Sequence, residues 1–484
     1  MAIAARSERR ERGVWRVAAT LLMAVLASAG CASAIALTVP RATSAPCLAP
    51  GEQREMLVGV ALSGGGSRAA LFGASGLEAL AQVRGPDGKS VLEQVGYVSS
   101  VSGGSVASAY YVSHKPLRGT PVLAPDGALS EDYRAFFARF REVVGQDIEG
   151  ALLRRQLATF RWFNPALAAR SLYEVLSERV LGEITFQGLA DRETRGDSPT
   201  LIVNTTLYNN GRRLVFTTLP SEALRYNFFQ DLQRSLASQG KPPEIPDIMR
   251  QRWEALLPVT PLELGLDPCP ARLAAGVAAS ASFPPLVGPI TFRVGEEEQY
   301  WHAGDGGLYE NQGIESLLFS ALKSLQEGRT RRVLIVAFES SYPFAVGTRL
   351  LSRRAEPFSL FNYDFSRIPS IMEERATAYQ ALFFRSLQME GVFPDPQTLR
   401  LILVRHIDAE WSPDLSDLPA ACRAESPPLT SPVQVRERIA EIPTRFYIAS
   451  ECDRQLLATA AAKVVAAKRP EIEEFMAGRP GVQR

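Results

Sequence analysis

Apolar residues in this chain fall into short unbroken runs that end at glycines, and each run gives way to a stretch with helical spacing. Met56-Leu57-Val58-Gly59-Val60-Ala61-Leu62 reads as a buried strand. It passes into Ser63-Gly64-Gly65-Gly66-Ser67-Arg68, and Ala69 to Val83 is spaced as a helix. A turn at Gly85-Pro86-Asp87-Gly88 and a short helix follow. A second apolar run, Tyr97-Val98-Ser99-Ser100-Val101, then reaches Ser102-Gly103-Gly104, and Ser105 to Val112 is small and apolar, as a buried helix requires. Two successive strand, glycine turn and helix units imply a parallel sheet with helices on its faces.

The rest of the pattern extends this layout. Asp132 to Val180 is mostly helical by spacing, and Phe136, Phe137 and Phe140 cluster within it. From Leu152 to Phe163 the aromatics Phe160, Trp162 and Phe163 interleave with Arg154, Arg155 and Arg161. Such a stretch either lies on a lipid surface or, more plainly, packs on the sheet with its arginines outside. Thr200 to Thr206 and Arg213 to Thr218 read as strands joined at Asn209-Asn210-Gly211, a hairpin. Glu222 to Leu257 is polar and helical, an inserted cap. Ala271 to Ser282 is a small-residue helix that stops at Phe283-Pro284-Pro285. Tyr300 to Gly307 is a second glycine turn, and Asn311 to Ser324 is a helix. Arg332 to Phe338 is a central strand. The tail reads as a helix (Ile368 to Glu390), a strand (Leu399 to Arg405) and two helices (Val433 to Arg445, Ala449 to Lys468). The expected fold is α/β: a mostly parallel central sheet flanked by helices, with helical insertions and a helical C-terminal extension. The expected division is an α/β domain over 56–345 and an α/β extension over 346–484 packed on it.

Composition bounds the class. With 484 residues, 46% hydrophobic and 22% charged, the chain is globular. Its net charge of +1 hides a split. Residues 1–30 carry five arginines (6, 9, 10, 12 and 16) against Glu8 and Glu11, or +3, which leaves 1 − 3 = −2 for the remainder. That balance gives no reason to expect a nucleic-acid partner. The basic start and the 14-residue uncharged run Val17 to Gly30, which is too short to span a bilayer comfortably and ends in small residues, read as an export signal over 1–30. Ala27-Ser28-Ala29-Gly30-Cys31 resembles a bacterial lipobox, with Ser28 where leucine is usual, so Cys31 is the candidate lipidation site. Ordinary cleavage after Ala27-Ser28-Ala29, or an uncleaved anchor, stands beside it. Ala32 after the cysteine favours an outer-membrane address over inner-membrane retention. The Pro-, Ala-, Ser- and Thr-rich stretch that follows makes 31–55 a flexible tether. Four cysteines remain, Cys47, Cys269, Cys422 and Cys452, which permit three disulfide connectivities; Cys422 with Cys452 is preferred. No two are spaced as metal ligands, and neither a metal nor a cofactor is expected.

Ser102 stands where a nucleophile elbow places its serine, between a strand and a helix whose amide dipoles face the hydroxyl. Ser100 replaces the first glycine of that pattern, and an ordinary tight strand-to-helix turn is the plain alternative. A serine needs a base. The chain has three histidines, His114, His302 and His406, and none lies in a recognisable catalytic setting. Asp305, between an apolar run and two glycines, does, although Gly-Asp-Gly-Gly is also a common turn. Gly64-Gly65-Gly66 offers successive amides at a helix start, a nest for an oxyanion. Arg68 is placed to fix that loop or to meet a phosphate head group. A dinucleotide fingerprint over Gly64, Gly66 and Ala69 is the rival, and it would need Asp87 at a strand end rather than in a turn.

Taken together, the glycine loop with Arg68, Ser102 and Gly304-Asp305-Gly306-Gly307 resemble the patatin-like phospholipase family. Ala278 to Pro285 and the strands around Asn204 and Phe216 are similar too, and the likeness covers about residues 57–340; Ile442-Pro443-Thr444 resembles bacterial members. The sequence departs from the family pattern at Ser100 and at Ala69, where a glycine often follows the arginine. The resemblance implies lipid acyl hydrolysis by a Ser–Asp dyad through an acyl-enzyme. Ser102 would be the nucleophile, Asp305 the base, and Gly64, Gly65, Gly66 and Arg68 the oxyanion loop. The implied partners are a lipid or phospholipid substrate and, through Cys31, a membrane surface. A Ser–His–Asp esterase using His406, and a non-catalytic tethered lipid-binding protein, are the alternatives.

Overall fold

Strand pairing in the computed structural model joins nine strands of the described residues into one sheet. The described residues are 36–42, 47, 54–159, 161, 165–237, 240, 244–284, 287–341, 367–389 and 397–478. The strands are β1 (Leu37–Val39), β2 (Met56–Leu62), β3 (Val95–Val101), β4 (Thr200–Leu207), β5 (Arg212–Thr217), β6 (Ile290–Val294), β7 (Tyr300–Asp305), β8 (Arg332–Glu339) and β9 (Leu399–Arg405). Their order is β1-β6-β7-β4-β3-β2-β8-β9, with β5 also on β4. The run β4-β3-β2-β8-β9 is parallel throughout. The mostly parallel sheet expected from the glycine-ended runs is present, with an antiparallel patch where β5 and β7 meet β4 and β6 meets β7.

Helices cover both faces. Those used below are α1 (Gly66–Ala81), α2 (Gly103–His114), α3 (Glu131–Val144), α4 (Ile148–Ala158), α5 (Pro165–Leu176), α6 (Phe228–Ala237), α7 (Asp247–Leu256), α8 (Leu273–Ser280), α9 (Ile314–Gln326), α10 (Arg367–Met389), α11 (Pro432–Glu441) and α12 (Glu451–Met476). The two-residue alternation of a strand explains the layering. In β2, Val58, Val60 and Leu62 face a core shared with α1, α2 and α12, whereas Leu57 and Ala61 face a second core with α9. The inserted cap is a pair of helices, α6 and α7, joined through Phe228, Phe229 and Trp253.

The structure departs from the sequence reading at several places. The tether expected over 31–55 is not flexible along its length: Leu37–Val39 pairs with β6, and Cys47 is bonded to Cys269. Composition hid this, because three strand residues among prolines carry almost no period-2 signal. Cys422 and Cys452 form the other disulfide, the pairing preferred from the sequence. The extension is continuous with the sheet rather than laid beside it, since β9 extends the sheet past β8 and α12 packs on α1. The helix expected from Val433 to Arg445 ends at Glu441, and Pro443 follows. By contrast, α12 runs through Pro470 to Met476. The arginines near α4 turn back to the protein: Arg155 pairs with Glu174 and Glu178, and Arg161 with Glu174. Residues 1–35, with the export signal and Cys31, lie outside the described residues, as do Phe160, Trp162, Phe163 and Pro285.

Candidate functional site

The carboxyl ends of β2, β3 and β8 lie side by side, with Leu62 paired to both Ser100 and Phe338. The loops that leave them therefore share one edge of the sheet. The glycine loop leaves β2, Ser102 leaves β3, and Ser340 leaves β8.

Ser102 has φ 51° and ψ −121°, a left-handed conformation that costs energy in a residue with a β-carbon. Surrounding contacts hold it there. Its N–H donates to Ser280 Oγ at 2.9 Å; Ser280 Oγ in turn donates to the Asn204 carbonyl at 2.6 Å and lies 2.9 Å from Ser105 Oγ. The Asn204 amide donates to Ser99 Oγ and to the Ser100 carbonyl, and its oxygen accepts from Ser316 Oγ at 2.5 Å. Beyond Ser102 itself every member of this network is buried, and it fixes the turn from beneath. The departure at Ser100 is accommodated, because its hydroxyl accepts from Ser108 Oγ on α2 at 2.6 Å.

Asp305 reaches the same place from the other direction. Val101 at the end of β3 pairs with Asn204, and Asp305 at the end of β7 pairs with Thr205. The opposite edge of these two β4 residues is occupied by β5. Strands β3 and β7 therefore approach head to head along one edge of β4, and the residues at their tips, Ser102 and Asp305, are brought together. Asp305 is 2% exposed, and its Oδ1 accepts from Gly307 N at 2.8 Å. Its backbone is tied by Asp305 N to the Ser282 carbonyl and by Thr206 Oγ1 to its own carbonyl. The Tyr208 ring lies against Gly304, the residue before the acid, and its phenol is pushed up by burial and next by the Asp305 carboxylate.

The glycine loop closes over both. Gly64 N donates to the Asn311 carbonyl at 2.8 Å, so one of the three candidate amides is already engaged. Among the described residues the Gly65 and Gly66 amides have no backbone acceptor. Asn311 Oδ1 lies against both Gly64 and Gly307, and a β-carbon on Gly64 would be 3.3 Å from Ser102 Cβ. Arg68 is fully buried and donates from Nε to the Ser340 carbonyl at 2.8 Å and from Nη1 to the Ile442 carbonyl at 2.7 Å. Of the two roles the sequence allowed it, these bonds are those of a loop anchor. Asp87 lies in a turn on the far side of α1 from this edge, lining a separate cavity of about 890 Å³, so the dinucleotide arrangement is not formed.

The histidines lie elsewhere. His406 follows β9, three strands from β3, or about 14 Å at the usual interstrand spacing. Its Nδ1 is 3.2 Å from the Glu339 carbonyl, and burial, with Arg68 next, brings it down to about 3. His302 Nδ1 pairs with Thr291 Oγ1, and His114 stacks on Tyr110 at the far end of α2. Ser280, Asn311 and Tyr208 were not singled out from sequence. Nothing in their spacing marks them; only the convergence of three loops does.

A family model described as Patatin-like phospholipase matches residues 60–318, more than half of the chain. Among curated proteins none matches. The chain is similar in structure to human GIVD cytosolic phospholipase A2, at 14% identity and a TM-score of 0.45 over 87% of this chain and 60% of that one. A complex of that human protein with methyl gamma-linolenyl fluorophosphonate gives 14% identity and a TM-score of 0.43, over 88% and 59%. VipD from Legionella pneumophila gives 11% and 0.33, over 89% and 71%. The chain thus spans about 60% of the length of the human protein.

Proposed function

The chain belongs to the patatin-like phospholipase family, and on that footing we propose that it is a serine lipid acyl hydrolase working through a Ser102–Asp305 dyad. Asp305 takes the proton of Ser102 as Oγ attacks an ester carbonyl carbon. The Gly65 and Gly66 amides stabilise the oxyanion, while Gly64 and Arg68 hold their loop; one such donor is worth roughly 3–4 kcal/mol. Collapse of the intermediate breaks the ester C–O bond, and the leaving alcohol takes the proton from Asp305. Water, deprotonated by Asp305, then attacks the acyl-enzyme, and the fatty acid departs with Ser102 restored.

The head-to-head meeting of β3 and β7 on consecutive residues of β4 carries this reading. A carboxylate acts directly on the serine only when the fold sets the two side by side. The strained backbone of Ser102 supports it, since such conformations persist where the surrounding structure enforces them. The position of His406 weighs against the Ser–His–Asp alternative.

The test is covalent labelling by a fluorophosphonate. Wild type is expected to label, and Ser102→Ala and Asp305→Asn are expected not to. Failure of wild type to label favours the non-catalytic lipid-binding alternative, and labelling of Ser102→Ala removes the nucleophile assignment. For localisation, we propose export and lipid anchoring at Cys31 in the outer membrane.

A further inference from the structure

The glycine loop rests on a segment far outside the matched family region. The first amides of a helix lack partners within the helix. In α1 that of Ser67 donates to the Arg445 carbonyl at 2.6 Å. Gly66, at φ 59°, lies so close to Arg445 that a β-carbon would overlap its carbonyl oxygen and stand 3.0 Å from its nitrogen. Three residues earlier, the Ile442 carbonyl takes Arg68 Nη1. Ile442–Arg445 therefore crosses the start of α1 and is bound to it at Ser67 and Arg68, the two residues after Gly66. The outer end of the crossing is fixed by a two-point ion pair: Arg445 Nη2 is 2.5 Å from Glu149 Oε1, and Arg445 Nε 3.2 Å from Glu149 Oε2. Glu149 belongs to the first turn of α4.

We propose that Ile442–Arg445 is a positioning strap that sets the direction of the Gly65 and Gly66 amides, and that the Arg445–Glu149 pair holds the strap in place. The inference rests on the oxyanion role proposed above for those amides. By occupying Ser67 N–H, the Arg445 carbonyl takes one helix-start donor away from the nest and fixes the peptide plane beside it. Displacement of a donor by about 1 Å can cost about a hundredfold in rate, and a strap loosened at one end gives up part of that. Arg445 is a positioning residue, because its side chain points to Glu149 and not to the serine.

The experiment uses the full chain and compares wild type with Arg445→Ala, Glu149→Ala, the double alanine variant and the charge exchange Glu149→Arg/Arg445→Glu. The Arg445 side chain is 62% exposed, so the variants are expected to fold; melting temperature checks this. Each single alanine variant should slow fluorophosphonate labelling and kcat about tenfold with KM nearly unchanged. The double variant should be no slower than the singles, and the charge exchange should recover most of the rate. Amide exchange at Ser67 should quicken in the alanine variants, a readout that needs no catalysis. Rates within twofold of wild type with unchanged exchange overturn the strap. So do losses that multiply in the double variant. Quickened exchange with unchanged labelling means that the pair holds the strap on Ser67 but refutes its action on the oxyanion donors. Ser102→Ala, run alongside, separates failure of the strap from failure of the dyad.

Discussion

Gly103 lies against the carbonyl oxygen of Gly66 so closely that a β-carbon on Gly103 would overlap it. The first residue after the candidate nucleophile is thus packed on the loop that would hold the oxyanion. The two halves of the site are locked together by the absence of one atom.

Gly103→Ala should therefore damage both stability and chemistry. Relief of the overlap requires a backbone shift in α1 or α2, at about 1–3 kcal/mol. The same shift moves the donors relative to Ser102, so labelling by a fluorophosphonate should fall on the order of a hundredfold. Urea unfolding and labelling rates check both, and an alanine variant as stable and as fast as wild type contradicts the packing described.

His406 offers a pH test. Burial, ahead of Arg68, lowers its folded value to about 3 against an ordinary 6.5. Between those values the unfolded chain binds a proton that the folded chain refuses, so this residue's effect makes stability fall as pH falls from about 6.5 toward 3. At pH 4 the loss is about 3 kcal/mol. His406→Gln should remove that part of the pH dependence, seen as a smaller drop in urea midpoint between pH 7 and pH 4. The same variant should keep labelling within a few-fold at pH 7. A dead His406→Gln enzyme that is still folded would restore the Ser–His–Asp mechanism.

Cys422 and Cys452 close a loop of sequence separation 30 between the segment after β9 and the start of α12. Replacing both by alanine should cost about 3 kcal/mol of stability through the freer unfolded chain. Denaturant unfolding of the oxidised wild type and the double variant measures this, and equal midpoints would mean that the bridge contributes nothing.

Cys31→Ala tests the anchor. Cells fed an alkyne-tagged fatty acid should label the wild-type chain and not the variant, and the variant should leave the membrane fraction. Label retained by Cys31→Ala, or wild type found without label, removes the lipoprotein reading.

Much of the fold was legible in sequence because buried parallel strands are continuous apolar runs. β2, β8 and β9 were bounded within a residue, as was the hairpin of β4 and β5, whose Asn-Gly turn is a local signal. β7 was read only as a glycine turn, and β1 and β6 were missed. Each is short and exists by pairing with the other, and β6 also with β7, contacts that no local window contains. The end of α11 was misplaced because Ile442 and Arg445 fit helical spacing, while Pro443 follows and Ile442 leaves the helix with its carbonyl bound to Arg68.

The sequence by itself determined the identity of the reactive groups. A serine before two glycines, a run of three glycines at a helix start and an aspartate before two more are local patterns, each written in consecutive residues. It also determined that the chain offers few histidines to serve as a base. Only the tertiary structure decided how these groups stand to one another. The pairing of Val101 and Asp305 with adjoining residues of β4 depends on the sheet order, and each of those pairings joins segments about 100 residues apart, so no spacing along the chain reveals it. The same holds for Arg68. Its place beside a glycine loop was written in the sequence, but its bonds to the Ser340 and Ile442 carbonyls arise only when β8 and the C-terminal extension fold against α1.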